Sequence, residues 1–305
     1  MKRLLYIYNP AAGRKTAKIN LSDVLEVFAR QGYEITVHPT QERGDATAVA
    51  REQGPEHHRV VCCGGDGTLN ETVQGILELP REKRPILGYI PAGTTNDFSR
   101  TLELPKTPPE LAEVAGEGAP RAIDVGEAEG RLFTYVAAFG LFTDVSYSTP
   151  QVSKNLLGHF AYVLEGMGKL SNISSYHMKV SASDGREVEG DFIYGMVGNT
   201  VSVGGLVNLP RDKVRLDDGR FEVILIRRPE SGKDWQSILT ALTTLEMEEG
   251  GAVVGFSAGD ITFTCDQPVA WTVDGEFGGE QAVTRVRCLP QALTMACGAG
   301  SAEPS

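Results

Sequence analysis

Gly64-Gly65-Asp66-Gly67-Thr68-Leu69-Asn70-Glu71 is the stretch on which the reading of this chain turns. An apolar run, Arg59 to Cys63, precedes it, and Leu69, Val73, Ile76 and Leu77 follow with helical spacing. The order is strand, glycine turn, helix start. Glycines around one aspartate let the backbone pass close to a neighbour and leave N–H groups exposed. A helix N-terminus behind them favours an anion, most often a phosphate. Thr68 and Glu71 fit the S/T-x-x-E pattern of a capping box, which would fix where the helix begins. A plain tight turn needs only small residues. The acidic group between the glycines points instead to a divalent cation bridging carboxylate and phosphate.

Outward from that stretch, strand and helix patterns alternate. Leu4 to Tyr8, Glu34 to Val37, Arg59 to Cys63 and Ile86 to Ile90 read as strands. Ile19 to Arg30, Ala46 to Gln53 and Leu69 to Glu78 read as helices, with another helical start near Asp97. This order predicts a doubly wound α/β domain, a parallel sheet with helices on both faces. Ligands bind such sheets at the carboxyl ends of the strands. The loops Asn9 to Gly13, Gly64 to Thr68 and Pro91 to Asp97 all fall on that edge.

From about Ala122 the texture changes to short strand-like segments. They are Leu132 to Ala138, His177 to Ser183, Asp191 to Gly198, Phe221 to Ile226, Asp260 to Cys265, Ala270 to Val273 and Ala282 to Cys288. Their spacing predicts an all-β second domain, an antiparallel β-sandwich or split barrel. Helical patterns interrupt it at Leu156 to Leu170 and Lys233 to Glu248, and Leu104 to Pro109 starts a short helix near the boundary. The expected division is 1–122 and 123–289, with 290–300 returning to the first domain.

At 305 residues the chain exceeds what one core usually organises, which agrees with two domains. Five cysteines without C-x-x-C spacing argue against a disulfide framework or a zinc site. The N-terminus lacks the pattern of a signal peptide and no apolar run reaches membrane-span length. A cytoplasmic protein, touching membranes at most transiently, is the expectation. The net charge of −11 disfavours nucleic acid as a partner.

The chain resembles the soluble bacterial diacylglycerol and lipid kinases, relatives of the sphingosine kinases, over nearly its whole length. Five segments carry the resemblance: Asn9-Pro10-Ala11-Ala12-Gly13, Gly64 to Glu71, Pro91 to Phe98, Asp217-Asp218-Gly219 and Asp274-Gly275-Glu276. It implies an α/β nucleotide-binding domain followed by a β-sandwich, with ATP in the cleft between them. It also implies Mg²⁺, and a lipid substrate met by peripheral contact at a membrane surface; a homodimer is left open. Neither a Walker P-loop nor G-x-G-x-x-G occurs. By resemblance, Asn9, Pro10, Ala11, Ala12, Gly13, Arg14, Thr40, Gly65, Gly67, Thr68, Leu69, Asn70, Glu71 and Thr94 form the nucleotide site. Arg14 stands where many relatives carry lysine, and Lys15 follows it.

Asp66 and Asp97 are then candidates to hold the catalytic Mg²⁺ or order its waters, and Asp97 reads equally well as a helix cap. Glu276 would take the proton of the attacking lipid hydroxyl, a role that comes from the resemblance. The residues alone read Asp274-Gly275 as a hairpin turn. Asp218, with main-chain oxygens of Arg215 and Arg220, matches a structural Mg²⁺ site of some relatives; a plain Asp-Gly turn is the alternative. Phe139 to Phe142 and Leu156 to Leu164 read first as core, with an acyl-chain groove as the alternative, and Lys154 and Lys169 are the cations nearby that could meet lipid headgroups. The expected function is an ATP-dependent lipid kinase acting on diacylglycerol or a similar alcohol. Rival expectations are a kinase of a sphingoid base or NAD-like nucleotide, and a catalytically silent sensor.

Overall fold

The computed structural model describes residues 1–12, 21–93, 96–141, 174–200, 202–203, 207–208, 214–248 and 250–298. Two compact units divide the chain: Met1–Ile123 with Gln291–Ser305, and Asp124–Pro290.

The first unit is the α/β one. Its strands are β1 (Lys2–Tyr8), β2 (Tyr33–Pro39), β3 (Arg59–Gly64) and β4 (Ile86–Pro91). Its helices are α1 (Leu21–Arg30), α2 (Asp45–Gln53), α3 (Asp66–Leu77), α4 (Asp97–Thr101) and α5 (Pro108–Glu117). The strands run parallel in the order β2-β1-β3-β4. Met295, in the last segment of the chain's final strand, pairs parallel with Leu87 of β4. Every residue of β3 is buried, as expected of a central strand covered on both faces. Alternation sends Leu4, Tyr6, Val61, Cys63 and Ile90 to one face, where Val24, Val27 and Phe28 of α1 and Leu111, Ala112 and Ala115 of α5 cover them. Leu5, Ile7, Val60 and Cys62 take the other face, and Thr72 of α3 bonds the Cys62 thiol there.

The second unit is antiparallel. The chain enters it through β5 (Ala119–Ala128), then β6 (Arg131–Phe133), β7 (Val136–Gly140), β8 (Tyr176–Ala182), β9 (Glu187–Gly198) and the short pair β10 (Ser202–Val203) and β11 (Val207–Asn208). There follow β12 (Phe221–Arg227), α6 (Gly232–Thr244), β13 (Val253–Ala258), β14 (Ile261–Val273) and β15 (Glu276–Cys297). The main path is β13-β12-β9-β7-β14-β15, with β8 bridging β14 and β9. Phe139, Phe263 and Trp271 form its aromatic centre, Trp271 lying 4.9 Å from each of the other two rings. Phe139 is thus core. Phe142, Lys154, Leu156 to Leu164 and Lys169 lie outside the described residues.

Several expected boundaries change. The run Leu132 to Ala138 is two strands, bent at Thr134-Tyr135. Asp260 to Cys265 and Ala270 to Val273 join as β14 through a register shift between Thr264 and Val269. The last strand is continuous from Glu276 to Cys297, and β13 was not foreseen. Helix α3 begins at Asp66, three residues before Leu69, so Thr68 and Glu71 do not form a capping box. Gly65 is its N-cap, and both side chains go to distant partners. Among the described residues, Ser231 with Asp234 forms a capping box at the start of α6.

Candidate active site

The carboxyl edge of the parallel sheet carries four loops, each tied to the next by hydrogen bonds. After β1, the Asn9 N–H donates to Cys63 O at 2.9 Å, which fastens the loop to β3. The Asn9 side chain turns the loop on itself: Oδ1 accepts from Ala11 N at 2.9 Å, and Nδ2 donates to Thr68 Oγ1 at 3.2 Å. Pro10 and Ala11 stay exposed and Ala12 half-buried. Gly13, Arg14 and Lys15 lie outside the described residues, as does Thr94.

After β2, Thr40 N donates to Tyr8 O at 2.9 Å, setting Thr40 beside the first loop. Asp45 holds this second loop from behind. Its carboxylate accepts from Gln41 N at 2.8 Å and meets His38 Nε2 at 3.1 and 3.2 Å. The Gln41 N–H first, and His38 with it, hold the Asp45 carboxyl below the usual aspartate range. Glu71 Oε1 accepts from Gly44 N at 3.0 Å and its carbonyl accepts from Thr47 Oγ1 at 2.9 Å, so α3 and the second loop are one construction. Sequence reading passed over His38, Asp45 and Thr47, whose partners are spatial and carry no motif.

After β3 and β4 the two glycine loops touch through their backbones. A Cβ on Gly93 would lie 2.6 Å from Gly65 Cα and 2.7 Å from Asn96 Oδ1. Nothing larger than hydrogen fits at Gly93, which is the physical reason for glycine there, while a Cβ on Gly65 would meet Gly93 Cα at a tight 3.3 Å. Ala92 N donates to Gly64 O at 2.8 Å, and Asn96 clamps its own loop by Oδ1 from Gly93 N and Nδ2 to Gly93 O, both at 2.9 Å. Asn96, with φ 49°, is the N-cap of α4, so that role falls to the residue before Asp97, which opens the helix. Asp66 opens α3 with only 9% of its surface exposed, and a carboxylate there is favoured by the helix dipole. Gly67 follows it into the helix. The Leu69 side chain is fully buried, and its N–H donates to Gly65 O at 3.0 Å. Asn70 Oδ1 accepts from Gln74 Nε2 at 2.6 Å.

The remaining candidates belong to the second unit. Asp274 and Gly275 have φ of 47° and 82° between β14 and β15, and Val273 pairs with Glu276 across them. That is the two-residue turn of type I′ that Asp-Gly favours. Glu276 is exposed at the first position of β15. Asp218 lies in the bend before β12, where its Oδ1 accepts from Arg220 N at 3.0 Å. The next N–H, of Gly219, goes to Oδ2 of the fully buried Asp124 at 2.7 Å. Arg215 opens this bend, and the Arg220 side chain turns away to Ser257 and Asp184. Burial first, and then Asp124, Asp260 and Asp218, push the Cys288 thiol up to about 12.

Among the described residues no three or more His, Cys, Asp or Glu side chains converge as a metal cage. Magnesium does not require one. It keeps several waters and takes one or two carboxylates, with substrate phosphates or main-chain oxygens completing the set. The single buried carboxylate of Asp66 fits that need beside a phosphate, and the carboxylates of Asp218 and Asp124 on one bend are oxygen donors of the kind a hard cation takes.

The family model of the diacylglycerol kinase catalytic domain matches residues 3–128, and that of the YegS C-terminal NAD kinase beta sandwich-like domain matches 137–297. The Bacillus subtilis (strain 168) protein named diacylglycerol kinase is 34% identical, over 92% of this chain and 91% of its own. Its Staphylococcus carnosus (strain TM300) namesake is 35% identical over 92% and 90%. Among solved structures, a diacylglycerol kinase of Bacillus anthracis str. Sterne covers 99% of this chain and 98% of that one, with TM-score 0.75 and 24% identity, a likeness of fold. An NAD kinase of Archaeoglobus fulgidus shares the fold more distantly, at TM-score 0.54 and 13% identity over 97% and 94%. With relatives at this identity over nine-tenths of the chain, and both halves matched in the same order, this protein belongs to the diacylglycerol kinase family and is a kinase.

Proposed function

We propose that this kinase transfers the γ-phosphoryl group of ATP, with Mg²⁺, to the hydroxyl of diacylglycerol or a similar lipid alcohol. The observation that carries the nucleotide half is the backbone contact of Gly65 with Gly93 beside the N-terminus of α3. It makes a surface of main-chain groups and a helix end, suited to phosphate. The diacylglycerol kinase relatives supply the lipid half.

In this reading Asn9 to Gly13, Arg14, Thr40, Gly65, Gly67, Thr68 and Thr94 bind the nucleotide. Asn70 and Glu71 shape α3 beneath it, Glu71 through Gly44. Asp66 and Asp97 hold Mg²⁺, which supplies neutralisation of charge on the phosphate oxygens. Glu276 takes the proton from the lipid hydroxyl as its oxygen bonds to the γ-phosphorus, and the bond to the bridging oxygen breaks to release ADP. Asp218, with main-chain oxygens of Arg215 and Arg220, holds a second, structural Mg²⁺. The lipid is met at a membrane surface by peripheral contact; no helix among the described residues is long and apolar enough to cross a membrane.

Glu276→Gln separates binding from chemistry. ATP affinity stays near that of the parent while turnover falls by about a hundredfold or more, the usual scale of a lost general base. Near-normal turnover in that variant removes Glu276 from the reaction.

A further inference from the structure

Glu276 stands one residue beyond the tip of a hairpin, a place that ordinarily frays. This tip is held instead. Asp274 is 5% exposed, and its carboxylate faces the bend between β6 and β7. Its Oδ2 accepts from Thr134 N at 2.8 Å and Thr134 Oγ1 at 3.0 Å. Its Oδ1 accepts from Tyr135 N and Val136 N, each at 3.1 Å. The Asp274 N–H returns a bond to Val136 O at 2.8 Å. Thr134 and Tyr135 are themselves 1% and 6% exposed, so the lock is sealed from water. An Asp-Gly turn needs positive φ and nothing more. Here the acid also splits what would be one strand into β6 and β7 and takes up the N–H groups of the bend between them.

We propose that Asp274 is a positioning residue for the reaction: its carboxylate locks the hairpin onto the Thr134–Val136 bend and so fixes where Glu276 stands. This rests on the reading of Glu276 as the general base. A residue acting through Glu276 matters only while Glu276 can act, and a double-mutant cycle reads that directly. Asp274→Asn keeps the turn preference but aims an amide N–H₂ at N–H groups that need an acceptor.

With ATP and diacylglycerol micelles, well below the unfolding midpoint, Asp274→Asn is expected to lower kcat by roughly tenfold or more, the scale of small misplacement of a catalytic group, with KM for ATP unchanged. In the Glu276→Gln background the same change is expected to cost less than about twofold. A tenfold loss in both backgrounds, or none in either, overturns the inference and leaves Asp274 as a turn residue. If Glu276→Gln itself keeps full turnover, the base reading falls and this inference with it, a distinguishable result. Should Asp274→Asn fail to fold, Thr134→Val removes one of the four bonds to the carboxylate. It is expected to give a smaller loss, about twofold to fivefold, with the same dependence on Glu276; an equal loss without Glu276 overturns the inference.

Discussion

Gly93→Ala adds one methyl group where the two glycine loops cross, and its consequence can be worked from distances. The new Cβ would stand 2.6 Å from Gly65 Cα and 2.7 Å from Asn96 Oδ1, while ordinary contact begins at 3.4 Å. The loops must therefore separate by about 0.8 Å, the difference between 3.4 and 2.6 Å. Gly93 does not have a positive φ, so its backbone accepts alanine and the effect is steric. Neither neighbour can rotate away cheaply: one is main chain, and the other is the amide that clamps the loop. Overpacking of this kind costs about 1–3 kcal/mol of stability. For the nucleotide site, displacement on the order of 1 Å costs up to about a hundredfold in kcat/KM for ATP. Gly65→Ala is the control, since its Cβ meets Gly93 Cα at 3.3 Å and needs only a few tenths of an ångström. Urea denaturation and steady-state ATP kinetics on both variants measure the pair of effects. Wild-type midpoint and kinetics in Gly93→Ala, or equal damage in Gly65→Ala, would refute the reasoning.

Three further outcomes are expected. Asp66→Asn should weaken nucleotide binding in the presence of Mg²⁺ far more than in its absence; an unchanged Mg²⁺ dependence, measured by ATP titration, leaves Asp66 as turn geometry. Arg84 donates to the carbonyls of Leu79, Leu77 and Ala292 and so ties the chain's last strand to the end of α3. Arg84→Ala should lose about 2 kcal/mol of stability, allowing for rehydration of the carbonyls, while KM for ATP stays put. Asp45 is held below the usual aspartate range, so its contribution is present above that range and lost as pH falls through its lowered folded value. The stability advantage of the parent over Asp45→Asn should therefore shrink on acidification, and a pH-independent difference between denaturation curves contradicts this.

The sheet was legible because buried parallel strands leave continuous apolar runs, and Arg59 to Cys63 is the plainest of them. Glycine loops were legible for the same local reason, since strand and helix patterns flank them. What failed depends on partners distant in sequence. Thr68 and Glu71 have the letters of a capping box, yet Asn9 takes the hydroxyl and Gly44 the carboxylate. Leu132 to Ala138 has the letters of one strand, yet Asp274 bends it at Thr134. The stretch Val253–Ala258 was missed because Gly255 interrupts the alternation, and its pairing with Phe221–Ile226 supplies what the pattern lacks. Most of the residues proposed for the nucleotide site, and the role proposed for Glu276, come from the resemblance; spacing alone marked only the glycine loops and Asp66.

The central claim is the identity of the phosphoryl acceptor. A single reaction should offer the purified protein γ-labelled ATP, Mg²⁺, mixed micelles of diacylglycerol and a sphingoid base, and NAD together, with the products then separated. Label in phosphatidic acid, lost in Glu276→Gln, is the predicted result. Label only in NAD, or in no acceptor while ATP is still bound, would contradict it.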